Sequence, residues 1–166
     1  MKVLITGGAG YIGSFVLRAL LEAGHEAVVI DDLSMGHRSA VGDTTLHVLE
    51  CGDTPRVSEI MRSEGVEGVI HLAALSLVGD FVREPGLYWS RNVGQAAGLL
   101  EACRVAGVRR FVLSSTAAVY GEPESVPIYE EHPSRPTNPY GATKRAIEQM
   151  LSHYNAVDEL GWVALR

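Results

Sequence analysis

Tyr140 and Lys144 stand one helical turn apart in the segment Asn138-Pro139-Tyr140-Gly141-Ala142-Thr143-Lys144. On a helix that spacing puts both side chains on one face. A lysine ammonium beside a phenol favours the phenolate and lowers a pKa that is normally about 10. A tyrosine so placed can act as a general base near neutral pH. Upstream, Ser114-Ser115-Thr116-Ala117-Ala118-Val119-Tyr120-Gly121 offers the Thr116 hydroxyl, which can hydrogen-bond the same substrate oxygen. The bland alternative is a surface helix with an unrelated lysine. It leaves the ordered series of glycine loop, Ser/Thr cluster and Tyr-x-x-x-Lys unexplained.

That glycine loop lies at the start of the chain. Gly7-Gly8-Ala9-Gly10-Tyr11-Ile12-Gly13 follows a short apolar run and precedes an amphipathic stretch. Glycines in this pattern permit a tight turn, close approach of a pyrophosphate and tight helix-on-strand packing. The helix N-terminus then offers amides and a positive dipole end to phosphates. Glycines also serve ordinary turns, but here the strand before and the helix after supply the context of a dinucleotide site. Asp31 ends the next apolar run, where a carboxylate binds the ribose hydroxyl and repels a 2′-phosphate, so NAD is expected rather than NADP. Arg38 in the following loop softens that preference. Asp31-Asp32 as merely solvated strand-end acids is the competing reading. Asp53 is placed either against the adenine amino group or as a helix cap, two roles that can coexist.

These residues need a frame. Strands are expected at 2–6, 27–31, 46–49, 68–72, 111–114 and 162–165, mostly as continuous apolar runs suited to a parallel sheet covered on both faces. Helices are expected at 11–23, 55–63, 87–106 and 140–157. Asp53-Thr54-Pro55 and Asn138-Pro139 read as caps with proline in the first turn, and Gly24 and Gly107 as helix ends. Strands alternating with helices predict an α/β fold, a Rossmann-type doubly wound parallel sheet of order 3-2-1-4-5-6 with right-handed crossovers. The 121–139 segment holds five of the seven prolines and reads as a long loop between a strand end and a helix start, where ligands bind in such sheets.

Composition narrows the classes. The 166 residues suit one domain, 46% hydrophobic and 20% charged. A net charge of −6 with scattered basic residues argues against nucleic acid. No apolar run approaches the roughly 18 residues of a membrane span, and the short run after Met1-Lys2 does not make a secretory signal. Cys51 and Cys103 read as packed, reduced thiols, and the histidines show no metal-ligand spacing. A cytoplasmic protein without a metal is expected. His71 reads as structural rather than catalytic.

The segments GGAGYIGS, DDLSMGHR, Gly52-Asp53, HLAALSLVGD, SSTAAVYGEP and NPYGATK together resemble the extended short-chain dehydrogenase/reductases, and among them the nucleotide-sugar epimerases. The resemblance implies bound NAD, a UDP-sugar substrate epimerised at C4, Tyr140 as base, Lys144 as its electrostatic partner and Thr116 as hydroxyl donor. It places Gly7, Gly10, Tyr11, Ile12, Gly13, Asp31, Asp32, Leu33, Ser34, Met35, Gly36, Asp53, Thr54, Leu72, Ala73, Ala74, Ser76 and Asn92 about the cofactor, with Tyr140 and Lys144. Ala117-Ala118 stands where dehydratases carry Asp-Glu and decarboxylating relatives a glutamate, which favours epimerisation. Ser76 and Arg91 depart from the lysine and asparagine often found at their positions. The family's C-terminal substrate lobe lies beyond this chain, so residues 1–166 are read as the NAD-binding Rossmann domain. A catalytically silent cofactor module and a related UDP-sugar epimerase or reductase are the alternatives. The 87–106 helix carries apolar Leu87, Leu99, Leu100, Cys103 and Ala106, and family helices of this kind pair subunits, so a homodimer is expected.

Overall fold

The computed structural model describes residues 1–76 and 84–166. Residues 77–80 of the HLAALSLVGD motif lie outside the described residues.

Six strands form one parallel sheet, β1 (Lys2–Thr6), β2 (Glu26–Asp31), β3 (Thr45–Val48), β4 (Gly68–His71), β5 (Arg110–Ser114) and β6 (Gly161–Leu165), in the order β3-β2-β1-β4-β5-β6. The expected doubly wound architecture is therefore the observed one, with each expected strand present and its ends within a residue or so. Register is set by apolar pairs such as Leu4 with Val28 and Val69, and Ile5 with Val29 and Ile70. Alternation along each strand sends Leu4, Val28, Ile30 and Val69 to one face, where α2 (Thr54–Glu64), α4 (Gln95–Ala106) and α5 (Pro139–Asp158) pack on them. Val3, Ile5 and Val29 go to the other face, beneath Leu17 of α1 (Tyr11–Glu22). Burying each such side chain contributes about 1.5–3 kcal/mol, so two cores fix the sheet and with it the ends of the strands. Edge strand β6 is one-sided. Trp162 and Ala164 pack on the core, whereas Val163 and Leu165 are 55% and 60% exposed.

The helix ends follow local chemistry. Asp53 accepts the Arg56 amide and Asn138 accepts the Gly141 amide, each ahead of a proline in the first turn. Gly65 and Gly107 close α2 and α4 in the left-handed conformation.

The segment 87–106, expected as one α-helix, is a correction. A short α3 (Pro85–Tyr88) leads into a π-helical turn over Trp89–Gly94 before α4. The chain stays helical throughout, with φ/ψ of −63°/−42° at Tyr88 and −65°/−40° at Gln95, and hydrophobic period alone does not reveal the widened turn. The apolar stripe on this helix is a second correction. Leu99, Leu100 and Cys103 lie in the chain's own core and Ala106 packs against it, so these residues do not form a face for a partner.

Candidate active site

A cavity of about 340 Å³ opens at the C-terminal ends of β1, β2 and β4, the end of a parallel sheet where ligands sit. Gly7, Gly10, Asp31, Asp32, Ser34, Met35, Gly36, Leu72, Ala73 and Ala74 line it, ten of the residues expected there from sequence. The glycines are demanded by contact. A Cβ at Gly13 would sit 2.1 Å from the Gly7 carbonyl oxygen, and one at Gly7, where φ is +73°, would sit 2.7 Å from the Ala73 amide nitrogen. No side chain caps α1, whose N-cap is Gly10. The α1 N-terminus thus meets the cavity at Gly10 with no side-chain cap, as an anion site requires.

Asp31 Oδ2 accepts the Ala9 amide at 2.9 Å and Oδ1 accepts the Leu33 amide at 2.9 Å, so the carboxylate braces the glycine loop while facing the cavity. Asp32 Oδ1 accepts from the Ser34 amide and hydroxyl at 2.9 and 2.6 Å, shaping the 31–36 loop.

Other expected residues stand outside the cavity wall. Tyr11 and Ile12 are exposed on α1, and Leu33, with φ +58°, packs against the α1-side core. Asp53 caps α2, and the Thr54 hydroxyl donates to the Gly98 carbonyl at 2.9 Å. Ser76 is exposed at the end of the 72–76 turn. Asn92 is buried. Its Oδ1 accepts the Leu75 amide at 2.8 Å, and its Nδ2 donates to the Leu75 carbonyl at 3.1 Å and the Thr143 hydroxyl at 3.2 Å. It ties that turn to α5.

The sequence did not point to Glu50, Gln95 or Cys51, which line the cavity beyond β3, and it marked Arg91 only as a departure. Arg91 pairs with Glu50 and lies 4.0 Å from Asp32 Oδ2. Gln95 Nε2 donates to Glu50 Oε2 at 2.6 Å, and its Oε1 accepts the Gly52 amide. The π turn carries consecutive residues in different directions, Arg91 to the cavity mouth and Asn92 inward. Burial pushes the Cys51 thiol up to about 12, so it is a protonated wall residue. The described residues include no cluster fit to hold a metal ion.

Tyr140 and Lys144 lie at the start of α5, beside the turn 117–120. A Cβ at Gly141 would meet the Ala118 carbonyl at 2.5 Å, so helix and turn touch backbone to backbone. Thr116 Oγ1 accepts the Ala118 amide at 3.1 Å, capping that turn. Lys144 Nζ donates to the Ser114 carbonyl at 2.7 Å and lies 5.9 Å from the Tyr140 ring centre. The expected lowering of the Tyr140 pKa is corrected here: burial, with the nearby Tyr88, raises it. Burial also lowers Lys144 to about 8, the cost of an ammonium that is only 1% exposed. His71 is likewise buried; its Nδ1 meets the Thr6 hydroxyl at 2.7 Å and its pKa falls to about 3, so it is a neutral structural group.

Residues 3–166 match the family described as NAD dependent epimerase/dehydratase. The chain belongs to that family. A UDP-glucose 4-epimerase of Streptomyces lividans is 49% identical over 166 residues, covering 99% of this chain and 50% of the relative. The crystal structure of UDP-glucose 4-epimerase from Brucella ovis in complex with NAD superposes with a TM-score of 0.97 at 41% identity, covering 99% of this chain and 51% of the other. The Thermus thermophilus UDP-glucose 4-epimerase complex with NAD gives 0.95 at 40% identity, covering 100% and 54%. The chain spans about half the length of the curated relatives it matches.

Proposed function

We propose that residues 1–166 form the NAD-binding domain of an enzyme that epimerises C4 of a nucleotide sugar, interconverting UDP-glucose and UDP-galactose through a 4-keto sugar. The observation that carries this reading is the presence, at the C-terminal ends of the strands of one sheet, of the uncapped glycine cradle with Asp31 and of the Tyr140–Lys144 pair. The residues present fit NAD: the first-turn amides of α1 and the Gly7–Gly13 loop suit a pyrophosphate, and Asp31 at the cavity wall suits a ribose hydroxyl. Asp32, Leu33, Ser34, Met35, Gly36, Asp53, Thr54, Ser76, Asn92, Tyr11 and Ile12 complete the proposed binding set. NAD, when bound, supplies a hydride acceptor for the sugar C4, a hydride for its other face, and a positive charge beside the phenol.

The chain's own part is proton handling. Tyr140 takes the 4-hydroxyl proton and returns it after the ketone has turned over. Its phenol must ionise against a burial that raises its pKa, so neighbouring positive charge is required. Lys144, with a pKa of about 8, is still mostly protonated at pH 7 and supplies part of that charge. Thr116 donates its hydroxyl to the same sugar oxygen.

Purified protein supplied with NAD and UDP-galactose tests this reading, with UDP-glucose formation followed beside a Tyr140→Phe control. Turnover that the control loses supports the epimerase. NAD bound without turnover supports the second reading, a cofactor module that needs the other half of the enzyme, which the half-length coverage of relatives favours. Failure to bind NAD would sink both. Pairing of two copies rests on half-exposed Leu87 and Trp89, and sedimentation measures it. The two buried free thiols, Cys51 and Cys103, suit the reducing cytoplasm, and no helix among the described residues is long and apolar enough to cross a membrane. The proposed metabolic setting is galactose use.

A further inference from the structure

Glu148 is the most completely engaged carboxylate among the described residues, yet it lies outside the cavity. Only 1% exposed, it sits one turn beyond Lys144 on α5. Its Oε1 accepts the Ser115 hydroxyl at 2.6 Å and Arg166 Nε at 3.0 Å, while Oε2 accepts Arg166 Nη2 at 2.7 Å. Arg145 approaches Oε2 at 3.5 Å. Arg166 in turn donates Nη1 to the Tyr120 hydroxyl at 2.9 Å and lies 5.0 Å over that ring.

Two hooks therefore join α5 to the end of β5. Lys144 Nζ holds the Ser114 carbonyl at 2.7 Å, and one turn later Glu148 holds the hydroxyl of the next residue, Ser115. The last residue of β5 and the one after it are gripped by residues four apart on a helix, which fixes both the slide and the rotation of α5. Arg166 extends the grip to Tyr120, at the far end of the turn that Thr116 caps. The segments carrying Thr116, Tyr140 and Lys144 are thus bound to one carboxylate.

We propose that Glu148 is a positioning residue for the Tyr140–Lys144 pair, fixing the register of α5 against β5 through Ser115 and Arg166. The proposal rests on the reading above in which that pair handles the substrate proton. Stability is a weaker reason for such a group, because a buried ion pair replaced by well-packed apolar residues often costs nothing. A bidentate arginine–carboxylate fork does supply geometric precision. Burial pushes the Glu148 carboxyl up, but the hydrogen bonds from Arg166 and Ser115 outweigh it and hold it below the usual carboxylate range, so the fork is ionised at neutral pH.

Among the described residues, few titratable groups act on the reacting pair. They are Tyr88 on α3, beside Tyr140, and His71 ending β4 and Cys51 after β3, beside Lys144. Arg91 on the π turn is committed to Glu50. Lys144 Nζ lies 5.9 Å from the Tyr140 ring centre, so a change in the Tyr140 titration on cutting the Ser115 hook reports the placement of that ammonium.

The test is Ser115→Ala, with Ser115→Thr as the variant that keeps the hydroxyl and Glu148→Gln as the more severe cut. Carbon-13 NMR of tyrosine-labelled protein, assigned with Tyr140→Phe, reads the Tyr140 midpoint with and without NAD. The expected result is a midpoint raised by about half a unit or more in Ser115→Ala, as a cation's hold on the phenol slackens. NAD affinity stays within about twofold, and Ser115→Thr restores the wild-type midpoint. An unchanged midpoint in a folded Ser115→Ala protein overturns the proposal and leaves Glu148 as a staple of the fold. A shift that Ser115→Thr fails to reverse also overturns it, since packing would then be the cause. A wild-type protein that fails to bind NAD refutes the proposed function instead, while the titration without NAD still decides the role of Glu148.

Discussion

The Asp31 carboxylate and the Ala9 amide, 22 residues apart in the chain, are joined by a 2.9 Å hydrogen bond. A residue placed by sequence at the ribose is thus also the brace that holds the glycine loop in its conformation. Asp31→Asn keeps the shape but sets an amide N–H against a backbone N–H at one of the two positions, Ala9 or Leu33. Hydrogen bonds to charged groups contribute about 1.5–3 kcal/mol, so the variant is expected to bind NAD at least tenfold more weakly and to melt earlier. Calorimetric titration with NAD and a thermal melt without it check this. A variant with unchanged melting and weakened binding would show the brace to be dispensable.

Two glycines of the same loop are expected to behave differently. Alanine at Gly13 puts a methyl 2.1 Å from the Gly7 carbonyl oxygen, which only a backbone shift can relieve. Overpacking of this kind costs about 1–3 kcal/mol and moves the cradle. Alanine at Gly10 comes no closer than 3.4 Å to the same oxygen, at a φ of −81° that any residue adopts. Gly13→Ala should therefore lose NAD binding and stability together, whereas Gly10→Ala should melt within a degree or two of wild type. Equal losses in both would refute the contact argument.

Strand order and the glycine loop were legible because their signals are local and periodic. Continuous apolar runs mark the buried strands, and Gly8 and Gly13 answer contacts within one βαβ unit, Gly7 alone meeting Ala73 after β4. The Glu50–Arg91–Gln95 cluster was not legible, because it joins a loop after β3 to the π turn and the start of α4 about 40 residues on, a meeting only the fold arranges. The shift at Tyr140 was misjudged for a related reason. Spacing put Lys144 on the right face, but it could not show that Ser114 accepts the ammonium or that burial and Tyr88 raise the phenol.

His71 gives the fold an acid limit. Its pKa is about 3 in the folded chain, against about 6.5 unfolded. Between those values the unfolded chain binds a proton that the folded chain refuses, so stability falls as pH drops below about 6.5. At pH 5 the loss from this group alone is about 2 kcal/mol. His71→Asn removes the titration at some cost in packing against Phe111. Urea unfolding at pH 7 and pH 5 should show a smaller drop in the variant than in wild type. Equal drops would place the acid sensitivity elsewhere.

Lys144 acts in the same direction at higher pH, and here function and stability part. Folding lowers its pKa from the usual 10.5 to about 8, chiefly by burial. Between these values the unfolded chain holds the proton and the folded chain does not, so this group's contribution to stability rises with pH across that window. Below pH 8 the fold carries a buried ammonium that donates to the Ser114 carbonyl. Lys144→Met keeps the stem and removes the charge. The stability advantage of the methionine variant over wild type should shrink by about 2–3 kcal/mol between pH 7 and pH 10. Tyr140, whose raised pKa acts in the other direction above pH 10, is common to both proteins and largely cancels in the difference. Urea unfolding without NAD at the two pH values measures that gap. A gap that stays constant with pH would mean that the folded Lys144 titrates like an exposed lysine, and that its ammonium is not strained by burial at all. A gap that closes as expected would mean that the fold tolerates a destabilising cation at the one position where the phenol needs it.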